Sequence, residues 1–136
     1  MKPIEAFTRE AIGSDSSWVP SEAGSDTAEQ YVETYLSAPD AWWWSTNDYS
    51  SEEIEIVLKR TLAIIERAKL PTHENALDQL GVGPLENMMS DDLLDILVHW
   101  QPFSAAMCHA LACVRMEVQP IAVQKRLRAM LLQSQQ

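Results

Sequence analysis

His109 and Cys113 are the two residues of this chain whose types and spacing come nearest to a chemical site. Four positions apart in an apolar, helix-like stretch, they share one face, and an imidazole with a thiolate suits a zinc ion. Two ligands are too few for a closed zinc site and the surrounding residues are apolar, so the sequence assigns no metal and no cofactor. Cys108 and Cys113 lie five apart, about 500° around a helix, on different faces. No mutual disulfide is expected, and both read as buried, reduced thiols. Glu52, Glu53 and Glu55 offer carboxylates for acid–base work, but the chain has no Gly-rich phosphate loop and no nucleophile elbow to go with them. His73 and His99 are isolated, and His99 fits the negative end of a helix dipole. Asp91, Asp92 and Asp95 lack the ligand spacing and the glycine of a calcium loop. A binding protein is therefore favoured over an enzyme.

The strongest binding feature is Trp42-Trp43-Trp44. Adjacent residues on a helix are about 100° apart, so three consecutive indoles cannot all face one core, and at least one is expected at the surface. Tryptophan is enriched where interfaces concentrate their energy. Asp40 and Asp48 flank the run, and Glu52, Glu53 and Glu55 follow, giving an aromatic centre with an acidic rim. Such a surface suits a basic protein. The commoner alternative is two rings in the core and a third covered by the N-terminal segment, on Trp18.

Charge is distributed unevenly. Residues 1–58 carry twelve acids against Lys2 and Arg9, whereas residues 59–136 carry eight acids and eight bases, so the whole net charge of −10 lies in the front part. Within the neutral part, Arg115, Lys125, Arg126 and Arg128 make the C-terminal end locally basic. An acidic front repels nucleic acid and anionic membranes and speeds encounter with a cationic partner.

These residues must be positioned by helices. At 136 residues the chain is long enough for one core in one domain without disulfides. No apolar run reaches the roughly 18–20 residues that span a bilayer. Met1 to Glu5 lacks the apolar stretch of a secretory signal, so a cytoplasmic location is expected. Residues 1–25 are rich in Gly, Ser and Pro and read as a poorly ordered or loosely docked arm anchored by Trp18-Val19. The helical domain is expected over 26–136. Asp26 and Glu29 have capping-box spacing before Tyr31, Val32, Tyr35 and Leu36, and Pro39 ends that helix. Ser50 and Glu53 repeat the spacing before a helix with Ile54, Val57, Leu58, Thr61, Leu62 and Ile65 on one face, which leaves Lys59 and Arg60 elsewhere. Thr72 is placed to cap a short helix through Ala76, Leu77 and Leu80. Gly81, Gly83 and Pro84 then predict a tight helix–turn–helix corner, with Pro84 starting the next helix. Ser90, backed by Asp91 and Asp92, caps another. Pro102 and Pro120 are read as opening two more, the first apolar nearly all round and hence central. No useful strand alternation occurs. The fold class is all-α, with six or seven helices stacked as helix–turn–helix pairs.

The order of these features resembles a widespread bacterial family of unknown function over residues 40 to 132. The likeness is carried by the tryptophan-rich opening, the helix of Ile54 to Ile65, the heptapeptide Leu80-Gly81-Val82-Gly83-Pro84-Leu85-Glu86 and the later stretch from Pro102-Phe103. Where the family has an acidic, His-containing stretch after the heptapeptide, this chain has Asn87 to Asp92. Members of the family look like accessory proteins of bacterial conflict systems, some resembling immunity proteins that neutralise a toxin. The resemblance thus implies a binding protein whose partner is a cognate toxin or effector.

Three functional readings follow. The first is an immunity protein that occludes a basic surface or active site with Asp40, Trp42, Trp43, Trp44, Asp48, Glu52, Glu53 and Glu55. The second is a structural or adaptor module, with a homodimer as one form. The third is an acidic nucleic-acid mimic, which the three tryptophans disfavour.

Overall fold

The computed structural model describes residues 4–20, 27–47 and 54–134. It is all-α, with no strand among the described residues. After a 3-10 turn at Ile4–Phe7 come α1 (Arg9–Ser14), α2 (Ala28–Ser37), α3 (Pro39–Trp42) and a second 3-10 turn at Trp43–Thr46. The chain continues with α4 (Ile54–Arg67), α5 (Glu74–Leu80), a π turn at Gly81–Leu85, α6 (Glu86–Met88), α7 (Asp91–Leu97), α8 (Ala105–Ala112) and α9 (Ile121–Ser134).

α4 occupies the centre and packs on α1, α2, α8 and the Trp43–Thr46 turn. Val57, Leu58, Thr61, Leu62, Ile64 and Ile65 are buried, and so is Lys59. The sequence pattern assigned the central place to the helix around Met107, but only Ala106, Met107, Ala110 and Leu111 of α8 are buried. The difference lies in how the charges of α4 are covered. Lys59 donates to Asp15 at 3.2 Å and lies over the Phe7 ring, while Arg60 donates to the carbonyls of Trp18 and Ser45. A basic side chain can bury its stem when its head finds acceptors, so two charged positions enter the interior. The Trp43–Thr46 turn supplies the Ser45 carbonyl, and the first segment supplies Asp15 and the Trp18 carbonyl. Trp18 does not anchor it alone: Phe7 and Ile12 are equally buried, and the Trp100 indole donates to the Phe7 carbonyl at 2.9 Å.

Cap registers depart by a residue or two from the sequence pattern. Thr27, not Asp26, caps α2 in a capping box with Gln30. The sequence spells two overlapping boxes here, and the structure adopts the one that sends Tyr31, Val32, Tyr35 and Leu36 inward. Glu29 is left to pair with Arg67 at 2.9 Å. The box expected at Ser50 and Glu53 lies outside the described residues. His73 holds the N-cap position of α5 instead of Thr72, its Nδ1 accepting from the Lys69 N–H at 2.9 Å. Ser90 caps α7 as expected. Pro102 does not open α8, because Ser104 is the cap and accepts from Met107 N–H at 3.1 Å. Pro120 does immediately precede α9, its carbonyl accepting from Gln124 N–H. Asp91 and Asp95 both bind Arg126, tying α7 to α9.

The main departure is at Gly81 to Pro84, where no corner forms. Gly81 is right-handed helical (φ −69°, ψ −50°), and α5 runs through the π turn into α6. Proline in an α-helix clashes with the carbonyl four residues back and supplies no N–H. The wider π turn relieves both problems, and the Glu86 N–H reaches back five residues to the Gly81 carbonyl. Gly81 is there for space, not for a left-handed conformation. A Cβ on it would lie 2.3 Å from the Ala110 carbonyl oxygen and 2.5 Å from Cys113 Cβ. At the far end of the turn, Glu86 receives the Arg115 backbone N–H at 2.8 Å and the guanidinium at 2.7–3.1 Å.

Gly81→Ala is expected to lower stability by about 1–3 kcal/mol, the usual cost of forcing atoms into a packed contact. Gly13→Ala, whose Cβ meets nothing within 4 Å at a helical position, is expected to raise it by about 0.4–1 kcal/mol. Urea denaturation followed by circular dichroism checks both. The hydrogen bonds from Arg115 hold the Glu86 carboxyl below the ordinary glutamate range, against the opposing effect of burial. Its stabilising contribution is complete above the ordinary glutamate pKa and is lost as pH falls through the lowered value. Glu86→Gln should therefore lower the melting temperature at neutral pH and flatten the acid limb of the stability profile.

Candidate functional site

The tryptophan run sits where two short helical pieces join. Pro39 opens α3, and its carbonyl-rich end tightens into the 3-10 turn Trp43–Thr46. The two hydroxyl residues after the indoles turn inward, and both are fully buried. Ser45 Oγ donates to the Trp42 carbonyl at 2.7 Å and meets the Tyr31 hydroxyl at 2.6 Å. Thr46 Oγ1 donates to the Trp43 carbonyl at 3.2 Å and meets the Tyr35 hydroxyl at 3.1 Å. Arg60 donates to the Ser45 carbonyl at 2.8 Å, and Asn47 Nδ2 to the Trp43 carbonyl at 2.7 Å. Burying the hydroxyls directs the indoles outward. Burial pushes the Tyr31 hydroxyl pKa far up, so it stays protonated and available to this network.

Trp42 is half-buried edge-on against Tyr31, and Trp44 lies over Trp42 with ring centroids 5.5 Å apart. Trp43 is 55% exposed and Trp44 37%. Neither Trp43 nor Trp44 is covered by Trp18, which lies edge-on to Tyr31 in the core. Beside Trp43 a shallow groove of about 240 Å³ is lined by Asp40, Asn47, Gln79, Val82 and Gly83. Val82, on the π turn, is 50% exposed. Gln79 Nε2 donates to Asp40, which joins α5 to α3, while Gln79 Oε1 is buried with no donor among the described residues.

The structure thus brings together Asp40, Trp42, Trp43 and Trp44. Glu55 does not join them: it lines a separate hollow with Phe7, Met88 and Leu93. Asp48, Glu52 and Glu53 lie outside the described residues. Val82 and Gln79 were missed by sequence reasoning. An apolar residue between two glycines was the available signal for Val82, whereas nothing local marks Gln79 as facing Asp40.

A larger cleft of about 410 Å³ opens between the first segment, α2 and α4. Its charged lining is internally paired, Arg9 with Glu66 and Arg67 with Glu29.

His109 and Cys113 do share a face, and they meet Asp78 of α5. Asp78 Oδ1 is 2.6 Å from His109 Nε2 and accepts from the Cys113 thiol at 3.4 Å. Both cysteines are free and only partly buried, not the core thiols expected from the apolar segment. Burial first, then the hydrogen bond and charge of Asp78, push the Cys113 thiol up to about 11.

Comparison with protein-family models, curated proteins and solved structures gives no match to this chain. The site is therefore read from its own geometry. Ser45→Ala strands the buried Tyr31 hydroxyl and is expected to cost about 1–3 kcal/mol. Adding Tyr31→Phe should cost less than the sum of the two single changes, because it removes the stranded group. Urea denaturation of the double-mutant cycle measures this.

Proposed function

We propose that this chain is a non-catalytic binding protein that docks a basic protein on the Trp43–Trp44–Val82 patch. The partner is a protein toxin, as the family resemblance implies, and binding neutralises it by covering a cationic surface. The observation that carries this reading is a pair of neighbouring indoles held outward by buried hydroxyls. Neighbouring exposed apolar side chains that form a patch mark interaction sites, whereas single scattered ones do not. Covering them would contribute roughly 2–3 kcal/mol each at about 25 cal/mol per Å² of apolar surface. Asp40 at the groove edge offers a carboxylate to a lysine or arginine of the partner. The front-loaded negative charge favours encounter with such a partner.

The test is co-purification with the product of the neighbouring gene, together with relief of that product's toxicity on co-expression. Trp43→Ala and Trp44→Ala should each weaken the complex by about 2 kcal/mol or more, the range of interface hot spots, while helicity stays unchanged. Asp40→Lys should slow association and reduce its salt dependence. Undiminished binding by the double tryptophan variant would remove the patch from the interface.

A further inference from the structure

The cluster of Asp78, His109 and Cys113 shares no residue with the tryptophan patch and takes no part in the proposed docking. It combines carboxylate, imidazole and thiol. One donor atom from each lies within 4.8 Å of both others. His109 and Cys113 stand one turn apart on α8, whose last turn remains helical through Cys113 (φ −81°, ψ −13°). Asp78 reaches them from α5. The approach of the two helices is set by Gly81, which leaves no room for a Cβ against Ala110 and Cys113. The three donors are therefore held by backbone packing, not by loops.

We propose that Asp78, His109 and Cys113 form a binding site for a zinc-like divalent transition-metal ion. A tetrahedral zinc ion with bonds of about 2.0–2.3 Å places its ligand atoms roughly 3.3–3.7 Å apart. The Asp78–Cys113 separation of 3.4 Å already fits, and the Asp78–His109 separation of 2.6 Å must open by at least about 0.7 Å, within reach of a side-chain rotation. Sulfur and nitrogen donors select zinc or cobalt over magnesium and calcium, which require oxygen ligands. The side chain of Asp78 is 49% exposed and that of His109 26%, so an ion can enter from solvent and keep water in its fourth position. Glu74, one turn before Asp78, adds negative charge that acts on Cys113. On binding, the Cys113 thiol releases its proton to solvent and the sulfur bonds the ion as thiolate, while the imidazole binds in its neutral form.

The test is titration of the reduced, metal-free full chain with Co²⁺, followed by displacement with Zn²⁺ in a calorimeter. One equivalent of Co²⁺ should bind with a thiolate-to-cobalt charge-transfer band and tetrahedral d–d absorption. Losing an outer-sphere partner typically costs about 10- to 100-fold in metal affinity, so Cys113→Ser, His109→Gln and Asp78→Asn should each cost at least that. Cys113→Ser should also abolish the charge-transfer band. Cys108→Ser, on the same helix but outside the cluster, should leave band and affinity unchanged. Circular dichroism of each variant separates ligand loss from unfolding, and the Cys108 control does not depend on it. Absence of the band in the parent chain, its survival in Cys113→Ser, or its loss in Cys108→Ser overturns the assignment.

Discussion

The contact of Gly81 with α8 is the constraint from which the rest of the surface follows. Helix axes usually stay 8–10 Å apart because side chains separate them. At Gly81 the backbone of one helix meets the Ala110 carbonyl and the Cys113 Cβ of another with no space for a methyl group. This pins the middle of a long helical run, α5 through α6, against α8. Pro84 then obliges the run to widen, and the widened turn carries Val82 to the surface and Glu86 to Arg115. One atom-sized absence thereby fixes both ends of the segment.

A second constraint is polar. This helical domain buries four hydroxyl groups around the tryptophan turn, those of Tyr31, Tyr35, Ser45 and Thr46, each with a partner. A buried hydroxyl without a partner is costly, whereas a satisfied pair contributes only about 0.5–1.5 kcal/mol. Such an arrangement defines one geometry more than it adds stability. Its geometric product is an outward-facing pair of indoles. Arg60 extends the same logic, since a single guanidinium ties both the Trp18 carbonyl of the first segment and the Ser45 carbonyl of the turn to α4.

Much of this was legible in the sequence. Apolar spacings of three and four revealed an all-α chain, and Ser90 before two aspartates marked a helix start correctly. Three consecutive indoles had to expose at least one ring by helical geometry alone. What could not be read was tertiary. Gly81-Val82-Gly83-Pro84 has every local mark of a helix end, and only α8, thirty residues on, supplies the reason for a glycine inside a helix. The overlapping caps at Asp26-Thr27-Ala28-Glu29-Gln30 are degenerate until the core selects a register. The pairing of Asp78 with His109 spans 31 positions and leaves no local trace. Glu55 followed the tryptophans closely in sequence, yet α4 turned it toward Phe7 and Met88.

The two surfaces are neighbours around one helix. At about 100° per residue along α5, taking Gly81 as the direction of α8, Asp78 lies roughly 60° round and Gln79 about 160°, with Val82 of the π turn between them. Passing from α8 toward α3, α5 thus presents in turn the close contact, the carboxylate shared by His109 and Cys113, the exposed valine, and the amide that holds Asp40. A rotation of α5 sufficient to move one of these moves them all. The glycine contact resists that rotation because it has no compressible side chain in it, and the π turn cannot relax to an α turn while Pro84 occupies it. Metal-type donors and docking surface are therefore indexed to each other by the same backbone.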